Sequence, residues 1–556
     1  MTHPRSASRR PRDAAGDVTL PVLNRRSLFA LSAAGTLGLA GCGRERPLQG
    51  GWVGASHERG HAWRDGRLPR ADAGSARHVD VAIVGAGVAG LSAARALRRA
   101  GIEDLRLFEL EDHAGGNSRG HRMGGMACPL GAHYLPTPGP HAQAVSEWLF
   151  EIGVARHELG RTVYDERHLC HAPQERLFIG GQWQEGLLPL SGASADTLAQ
   201  YRRFARTVRE LQAAHPFRLP TALAPWTPGL AALDAEPFGQ WLQSQGFGDP
   251  WLRGYLDYCC RDDYGAGLEQ VSAWAGLHYF ASRHGFHAPG EDDAQAERDA
   301  VLTWPQGNAW LTERLAAGLG ERLQTGAVLT RVSPAREAVT LELWNATRQQ
   351  PERWLAKQVV MCVPLFIAAR LVDAPPAALR HAAAGLRYAP WLVSNLQLAE
   401  PLLDRLGVPP AWDNVVHGSA TLGYVDAQHQ SLRPVRGATV LTHYWALGGR
   451  SPEELKAQRQ RLLAEPWQRW ARAVIDELSL VHPDLPRKLE RIDLMRYGHA
   501  MSIPVPGQRS HAALAALARP QGRLHFAHAD LSGYSVFEEA FTWGAVAGAR
   551  VAAGWR

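Results

Sequence analysis

A chain of 556 residues with 45% hydrophobic residues can bury a large core and supports two or more domains. Its formal net charge is +6, and only +2 remains once residues 1–41, with six arginines and two aspartates, are left out. This weak charge, with no basic stripe interleaved with aromatic residues, excludes a nucleic-acid partner.

The N-terminus has the parts of an export signal. A basic region ends in Arg25-Arg26, the apolar run Leu28–Ala40 follows, and Leu39-Ala40-Gly41-Cys42 resembles a bacterial lipobox. The run is too short to cross ~30 Å of hydrocarbon as a helix. We therefore expect a twin-arginine signal over 1–41, export to the periplasmic side of a bacterial membrane, and acylation of Cys42. The export machinery and, through Cys42, membrane lipid are the expected partners.

A dinucleotide-binding motif comes next. The apolar stretch 80–84 predicts a strand that runs into the turn Gly85-Ala86-Gly87-Val88-Ala89-Gly90 and then a helix of small residues. Gly85 permits the tight turn, Gly87 lets backbone N–H groups approach a pyrophosphate, and Gly90 lets helix and strand pack closely. Glu109 lies 19 residues beyond Gly90, where a carboxylate accepts hydrogen bonds from an adenosine ribose and disfavours NADP.

The segment after the second strand indicates which dinucleotide is bound. The run Glu109-x-x-Asp112-x-x-Gly115-Gly116 resembles the flavin-containing amine oxidase superfamily, which includes monoamine and polyamine oxidases and has phytoene desaturases as relatives. Asn117 stands where these proteins usually carry arginine, and Arg119 follows two residues later. Nicotinamide dehydrogenases have no such element, so the resemblance implies FAD as the cofactor.

The resemblance extends to the C-terminus through five more segments: Leu130–Tyr134, Trp304–Leu311, Gly326–Leu329, Leu524–Asp530 and Phe541–Gly548. They resemble, in order, a loop beside the isoalloxazine ring, a glycine-containing turn, a strand whose valine backbone contacts adenine, a ribityl-binding strand and the closing helix. The resemblance thus assigns cofactor contacts to Gly85, Gly87, Ala89, Gly90, Glu109, Gly116, Asn117, Gly131, Ala132, His133, Val328, Asp530, Thr542 and Trp543. It assigns catalytic positions to Tyr134, His499 and Phe541.

The implied fold class is α/β: a discontinuous Rossmann-like FAD-binding domain with an inserted α+β substrate domain. The predicted boundaries are a linker over 42–77, FAD-binding parts over 78–140, 296–375 and 495–556, and substrate-domain parts over 141–295 and 376–494. Within the substrate domain, the sequence predicts helices over 196–213 and 454–478 and a strand over 391–398.

Three family markers bear on the substrate. The closing-helix aromatic is present as Phe541, whereas Val393 falls near the usual lysine and Ala500 where a second aromatic is usual. His499 falls where some members attach FAD through cysteine. Oxidation of a small-molecule amine is the first expectation, and desaturation or isomerisation of an apolar substrate is its close competitor. A flavin-binding protein without turnover is a further alternative, while the Gly115-Gly116 element argues against a nicotinamide-linked dehydrogenase.

Acidic residues of the substrate domain add one hypothesis. Asp262, Asp263 and Asp413 lie among aromatic residues and could line a pocket for a cation, or they could cap helices and fill irregular cores. The cysteines have no zinc-ligand spacing, no metal is expected, and most cysteines are expected to be buried and free.

Overall fold

Two large β-sheets carry the architecture. The computed structural model describes residues 47–69, 76–283, 285–290, 300–432 and 437–555. The chain divides into residues 1–48 and 49–556, and every element below belongs to the second unit. The predicted signal, with Cys42, lies outside the described residues. Within the described ranges, no helix has the length and apolar character needed to cross a bilayer.

The strands and helices follow in chain order. The described strands are β1 Gly50–Trp52, β2 Arg77–Val84, β3 Leu105–Phe108, β4 Gly120–Met123, β5 Met126–Pro129, β6 Tyr134–Pro136, β7 Ala155–Glu158, β8 Arg161–Tyr164, β9 Glu175–Ile179, β10 Gln182–Glu185, β11 Val301–Thr303, β12 Leu323–Gln324, β13 Ala327–Pro334, β14 Val339–Asn345, β15 Gln350–Met361, β16 Arg387–Leu398, β17 Asp413–Val416, β18 Tyr424–Asp426, β19 Thr439–Ala446, β20 Leu489–Ile503 and β21 Leu524–Phe526. The described α-helices are α1 His57–Arg64, α2 Val88–Arg99, α3 Gln143–Glu151, α4 Ala195–Ala214, α5 Pro228–Asp234, α6 Phe238–Ser244, α7 Pro250–Tyr264, α8 Ala273–Ala281, α9 Ala309–Ala316, α10 Leu365–Leu371, α11 Ala377–Gly385, α12 Pro452–Ala464, α13 Trp467–Val481, α14 Leu485–Lys488, α15 Ala512–Leu517 and α16 Phe537–Ala553.

The first sheet is the predicted nucleotide-binding layer. Its order is β12-β3-β2-β15-β14-β13, with β21 beside β15. The pairs β12–β3, β3–β2, β2–β15 and β15–β21 are parallel, whereas β13, β14 and β15 form an antiparallel meander. Residues 81–84 of β2 are buried, as a central parallel strand covered on both faces requires. The β2–α2–β3 unit is therefore the Rossmann-like crossover that the sequence predicts.

The second sheet has the order β1-β20-β16-β19-β18-β17-β9-β10. Its long central strands β16 and β20 are antiparallel, and the predicted strand 391–398 lies within β16. The predicted helix 196–213 is α4, and the predicted helix 454–478 is two helices, α12 and α13. Pro466 begins the second of them as its N-cap, because proline cannot continue a helix.

Two predicted boundaries differ from the structure. The division at 494/495 falls inside β20, which runs unbroken to Ile503. The predicted linker 42–77 is wrong for residues 50–64, which form β1 and α1. The physical reason is tertiary: β1 forms by pairing with β20, which lies far along the chain, and Trp63 packs against the core of the nucleotide-binding layer. The described cysteines 128, 170, 259, 260 and 362 are free, and all but Cys170 are buried, as expected.

Candidate FAD and substrate site

In the glycine turn between β2 and α2, backbone atoms lie so close to Gly85 and Gly90 that a side chain would overlap with them. Gly85 has φ +95°, and a Cβ there would lie 2.8 Å from the carbonyl oxygen of Cys362. A Cβ on Gly90 would lie 1.9 Å from the oxygen of Gly85, and one on Gly116 would lie 3.1 Å from the Cα of Gly87. Gly85, Gly87, Ala89 and Gly116 line one large cavity, and Gly90 packs beneath the turn. The N-terminus of α2 thus presents free N–H groups to the cavity, as a pyrophosphate site requires.

Glu109 lies at the end of β3 and lines the same cavity, 7% exposed. Its carboxylate accepts hydrogen bonds from the backbone N–H of Ala86 (2.9 Å) and of Glu111 (3.0 Å), and Arg119 lies 3.8 Å away. Burial raises the pKa of Glu109, while the two N–H donors and Arg119 oppose that shift. Each carboxylate oxygen keeps a lone pair that can accept a ribose hydroxyl.

The loop 130–134 closes against the Asn117 turn. A Cβ on Gly131 would lie 2.1 Å from the oxygen of Asn117, and Ala132 N–H donates to that same oxygen (2.9 Å). The Asn117 side chain donates to Ala500 O (2.5 Å), which ties the loop to β20. Asn117, Gly131, Ala132, His133 and Tyr134 all line the cavity. The loop therefore forms part of the cavity wall, and its place beside the isoalloxazine ring stays a prediction.

Asp530 supplies the clearest sign of a missing hydroxyl partner. It is fully buried, and its Oδ2 accepts from Tyr388 Oη (2.6 Å) and from Leu365 N–H (2.8 Å). Burial raises the pKa of Asp530, but His528, Tyr388 and Leu365 together hold it below its ordinary value. Its buried Oδ1 lies 3.2 Å from His528 Nδ1, but that nitrogen already accepts the backbone N–H of Asp530 (3.1 Å), so a neutral His528 donates no hydrogen bond to this oxygen. Asp530 lines the cavity, so this oxygen is available to a cofactor hydroxyl.

The prediction for the closing helix is wrong by about one turn. Phe541 does not line the cavity; it is fully buried, with its ring centroid 5.4 Å from that of Trp148 and 5.9 Å from that of Phe537. Thr542 and Trp543 are also buried away from the cavity, and Trp543 Nε1 donates to Ser532 Oγ (2.8 Å).

The cavity is lined instead by residues where α16 begins: Val536, Phe537, Glu538 and Ala540. The reason is helix packing. Gly544 and Gly548, which the sequence places in a flavin-facing motif, lie directly on α2, and a Cβ on Gly544 would lie 2.1 Å from Ala89 O. Val328 lies in β13 between Ala327 and Leu329, which both line the cavity. The contact that the resemblance implies for Val328 is through its backbone, so it stays a prediction.

Three further positions that the resemblance singles out lie in the cavity wall. His499, Ala500 and Val393 line the cavity, so valine and alanine stand in the wall at these positions. Burial lowers the pKa of His499 to about 4, helped by Arg459, Arg370 and His61.

The cavity wall on the loop side is aromatic. Tyr444 lies opposite Val393 in the sheet register, and its ring stacks on that of His133 with centroids 4.4 Å apart. Tyr444 Oη donates to Gly131 O (3.0 Å) and Tyr497 Oη to Leu130 O (2.7 Å), so both hydroxyls are held by the same loop. Burial lowers the pKa of His133 to about 3, which keeps its imidazole uncharged.

Acidic residues also line the cavity. Asp263 is buried and paired with Arg283 (3.1 and 3.2 Å), and both residues line the cavity. Burial raises the pKa of Asp262 to about 7, with Asp263 adding to the shift. Asp413 does not line the cavity; it lies at the start of β17, where burial and Asp262 raise its pKa.

Glu538 is the residue that sequence reasoning missed. It is 3% exposed, lines the cavity from the first turn of α16, and has no hydrogen-bond partner on another residue among those described. Burial raises its pKa to about 7 although Arg283 opposes the shift. Tyr388, the partner of Asp530, was missed as well; a buried aromatic in a strand gives no sequence signal of its hydroxyl's role.

These features define a dinucleotide-binding flavoprotein. The cavity has a volume of about 930 Å³, at the upper end of the range for ligand pockets. It joins a Rossmann glycine turn, a ribose carboxylate and the orphan oxygen of Asp530 to an aromatic and acidic chamber. The residues present therefore fit FAD, with Glu109, the α2 N-terminus and Asp530 as its holders.

Comparison with known proteins agrees with this class. The family model described as flavin containing amine oxidoreductase matches residues 88–552, so the chain belongs to this family of FAD-dependent oxidoreductases. The Mycobacterium tuberculosis protein named Putative flavin-containing monoamine oxidase AofH is 30% identical over 282 residues, which cover 50% of this chain and 56% of that protein. Polyamine oxidase 1 of Zea mays is 44% identical over 55 residues, which cover 10% of this chain and 11% of that protein. The match thus spans about half the length of the first relative and a short part of the second.

Solved structures show the same fold. Putrescine oxidase bound to putrescine is 19% identical with a TM-score of 0.62, and the match covers 86% of this chain and 99% of that one. Cyclohexylamine oxidase from Brevibacterium oxydans IH-35A is 18% identical with the same TM-score and coverage. A fatty acid isomerase from P. acnes is 16% identical with a TM-score of 0.56, and its match covers 84% of this chain and 97% of that one.

Proposed function

We propose that this protein oxidises an amine that carries a second cationic group. The observation that carries the proposal is the pair Asp262 and Glu538, two carboxyls that line the same cavity as the FAD-binding elements. Burying a carboxyl without a partner is costly, and a cation in the cavity removes that cost. The named relatives are amine oxidases, which supports the same class of substrate.

The reaction proposed is removal of a hydride equivalent from the C–H bond next to the reacting nitrogen. FAD supplies the hydride acceptor at N5. The resulting iminium reacts with water to give a carbonyl compound and the free amine. The chain contributes orientation and exclusion of water. Tyr444 and neutral His133 form one wall without repelling a cation, and Val393 and Ala500 form apolar parts of the wall.

The proposed reaction depends on pH through the carboxyls and through the amine. The pKa of Asp262 and that of Glu538 lie near 7, and a bound cation stabilises the charged form of each carboxyl because its charge is opposite. The reacting nitrogen must be deprotonated for hydride loss, so flavin reduction should accelerate as pH rises toward the pKa of the amine. Oxidation of an apolar substrate lacks this titration of the substrate.

Anaerobic stopped-flow mixing tests the proposal. A diamine, the monoamine of equal length, an apolar polyene and a quinol are each mixed with the oxidised protein between roughly pH 7 and 10, where amines lose their proton. We expect the diamine to bleach the flavin at the lowest concentration. Glu538→Gln should weaken binding of the diamine at least tenfold and binding of the monoamine less than threefold, because only the diamine loses a charge-assisted contact.

Glu269→Gln serves as the matched control, since Glu269 pairs with Arg253 and does not line the cavity. If Glu538→Gln weakens binding of the diamine and of the monoamine equally, the proposal that the substrate carries a second cationic group is wrong. Bleaching by the polyene or the quinol, with none by any amine, would replace amine oxidation by the desaturase-like alternative.

We also propose that the protein is exported and lipid-anchored. The support is the sequence of residues 1–42: the twin arginines, the short apolar run and Cys42. The twin-arginine route exports folded proteins, which suits a protein that loads FAD before export. Replacing Arg25 and Arg26 together by lysine should leave folded holoprotein in the cytoplasm, and Cys42→Ala should abolish lipid labelling. Normal export of the double variant would contradict the proposal.

A further inference from the structure

Residues 50–64 form a strap that crosses from the second sheet to the nucleotide-binding layer. At its start, β1 pairs in parallel with β20, with Trp52 opposite Leu494. The guanidinium of Arg496 lies 4.5 Å from the ring centroid of Trp52. Gly50 is required here, since its φ is +143° and a Cβ would lie 1.7 Å from Ile492 O. The strap therefore has a defined anchor in the second sheet.

The other half of the strap is fastened beside Glu109. Ser56 N–H donates to Glu111 Oε2 (3.0 Å), and Arg59 donates to Leu110 O (3.1 Å) and pairs with Asp112 (2.7 Å). These partners are the three residues that follow Glu109 in the chain. At the end of the strap, Trp63 Nε1 donates to Thr330 O (3.1 Å) in β13. The strap thus contacts the segment after β3 and strand β13, the two elements beside the predicted site for the adenosine part of FAD.

The strap also forms part of the cavity wall. Gly60, His61, Trp63 and Arg64 line the cavity together with Glu109. None of the eight residues of α1 is fully buried, and Ser56 provides no side-chain cap to the helix. An isolated helix of this length is unstable in water. Its position consequently depends on tertiary contacts, which also include Arg496 Nη2 with His57 Nδ1 (3.1 Å) and the partly buried Val53, Ala55 and Trp63. A short, half-buried segment held in this way is suited to local opening.

We propose that this strap is a clamp that retains FAD: it opens for the cofactor to enter and slows its release once closed. The clamp is independent of the substrate and of the reaction. The strap lies N-terminal to the match with the family model, which begins at residue 88, whereas the residues that fasten it beside Glu109 and to β13 lie within that match.

Two variants test separately the contacts that fasten the strap and the residues by which it lines the cavity. Arg59 does not line the cavity, so Arg59→Ala removes the latch to Leu110 and Asp112 without removing a wall residue. Trp63→Ala removes a wall residue and the bond to Thr330. Arg67→Ala is the matched control, because Arg67 is exposed and pairs only with Asp65 among the described residues.

The first measurement is the rate of FAD release from each holoprotein, followed by the rise in flavin fluorescence after dilution. We expect Arg59→Ala and Trp63→Ala each to release FAD at least tenfold faster than the natural protein, and Arg67→Ala to stay within twofold. Rates within twofold for both test variants would overturn the proposal.

The second measurement needs no variant. Trypsin cleavage after Arg59 and Arg64 is compared in the FAD-loaded and FAD-stripped natural protein, with cleavage after Arg161, in the exposed β7–β8 hairpin, as the internal control. We expect FAD to slow strap cleavage at least fivefold and to leave the hairpin unchanged. Equal cleavage of the strap in both forms would show that FAD does not close it.

Discussion

Gly544→Ala is expected to destabilise the protein and weaken FAD binding, because Gly544 is the point where α16 touches α2. A Cβ at this position would lie 2.1 Å from Ala89 O and 2.9 Å from Ala89 C, closer than such atoms approach. The helices must separate, and overpacking of this kind costs about 1–3 kcal/mol or more. Because the overlap is with backbone atoms, the upper end of this cost applies; alanine regains about 0.5–1 kcal/mol of helix propensity, so the net loss is about 2 kcal/mol. Since Ala89 lines the cavity in the first turn of α2, separation also moves the pyrophosphate site.

Gly254→Ala is the matched control. Gly254 lies inside α7 and is exposed, and a Cβ added there would have no other atom within 4 Å, so the substitution should stabilise by about 0.5–1 kcal/mol. Denaturant unfolding of the FAD-stripped variants gives the free energies, and fluorescence titration gives FAD affinity. A Gly544→Ala variant as stable as the natural protein would refute the helix contact, and with it the corrected register of α16.

Further predictions concern the cofactor holders and the acidic chamber. Glu109→Arg should weaken FAD binding by about 1–3 kcal/mol, because it removes the hydroxyl acceptors and adds an unmatched charge; unchanged flavin occupancy would remove Glu109 from the site. Asp530→Ala should reduce FAD affinity and leave the Tyr388 hydroxyl unpaired, a further loss of about 1–3 kcal/mol in unfolding experiments, whereas unchanged stability would contradict the buried network. The pKa of Glu538 is raised from its ordinary value to about 7, so its contribution to stability is present at low pH and is lost as pH rises from about 4.5 to 7; Glu538→Gln should flatten that part of the stability–pH curve, and an unaltered curve would contradict the shift. Acid precipitation should leave the yellow colour in the supernatant, and colour retained in the pellet, lost again in His499→Ala, would instead indicate a covalent histidyl link.

The nucleotide-binding half could be predicted from sequence because its demands are local. A positive φ at Gly85, a close backbone approach at Gly90 and a carboxylate at the end of β3 each need one residue type at one position. The loop at Asn117 and Gly131 follows the same rule. Such constraints survive without any knowledge of the rest of the fold.

The strap and the closing helix could not be predicted in the same way. Residues 50–64 have no periodicity, and β1 exists only because β20, more than 400 residues later, offers an edge. In α16 both turns contain aromatic and small residues, so the sequence allows either turn to face the cofactor. The contact of Gly544 with Ala89 selects the register, and that contact is between helices distant in the chain.

The register of α16 bears directly on the proposed recognition of a cationic substrate. With Phe541 in the core, the first turn of the helix presents Glu538 to the cavity. The positive end of the helix dipole favours a charged carboxyl there, yet burial prevails and the pKa rises to about 7. A carboxyl held so close to its titration point gains most from a cation that arrives with the substrate, since pairing stabilises the charge that burial disfavours. The first turn of α16 therefore places a titratable acid beside the aromatic ring of Phe537, and the proposed recognition by charge depends on the position of this one helix.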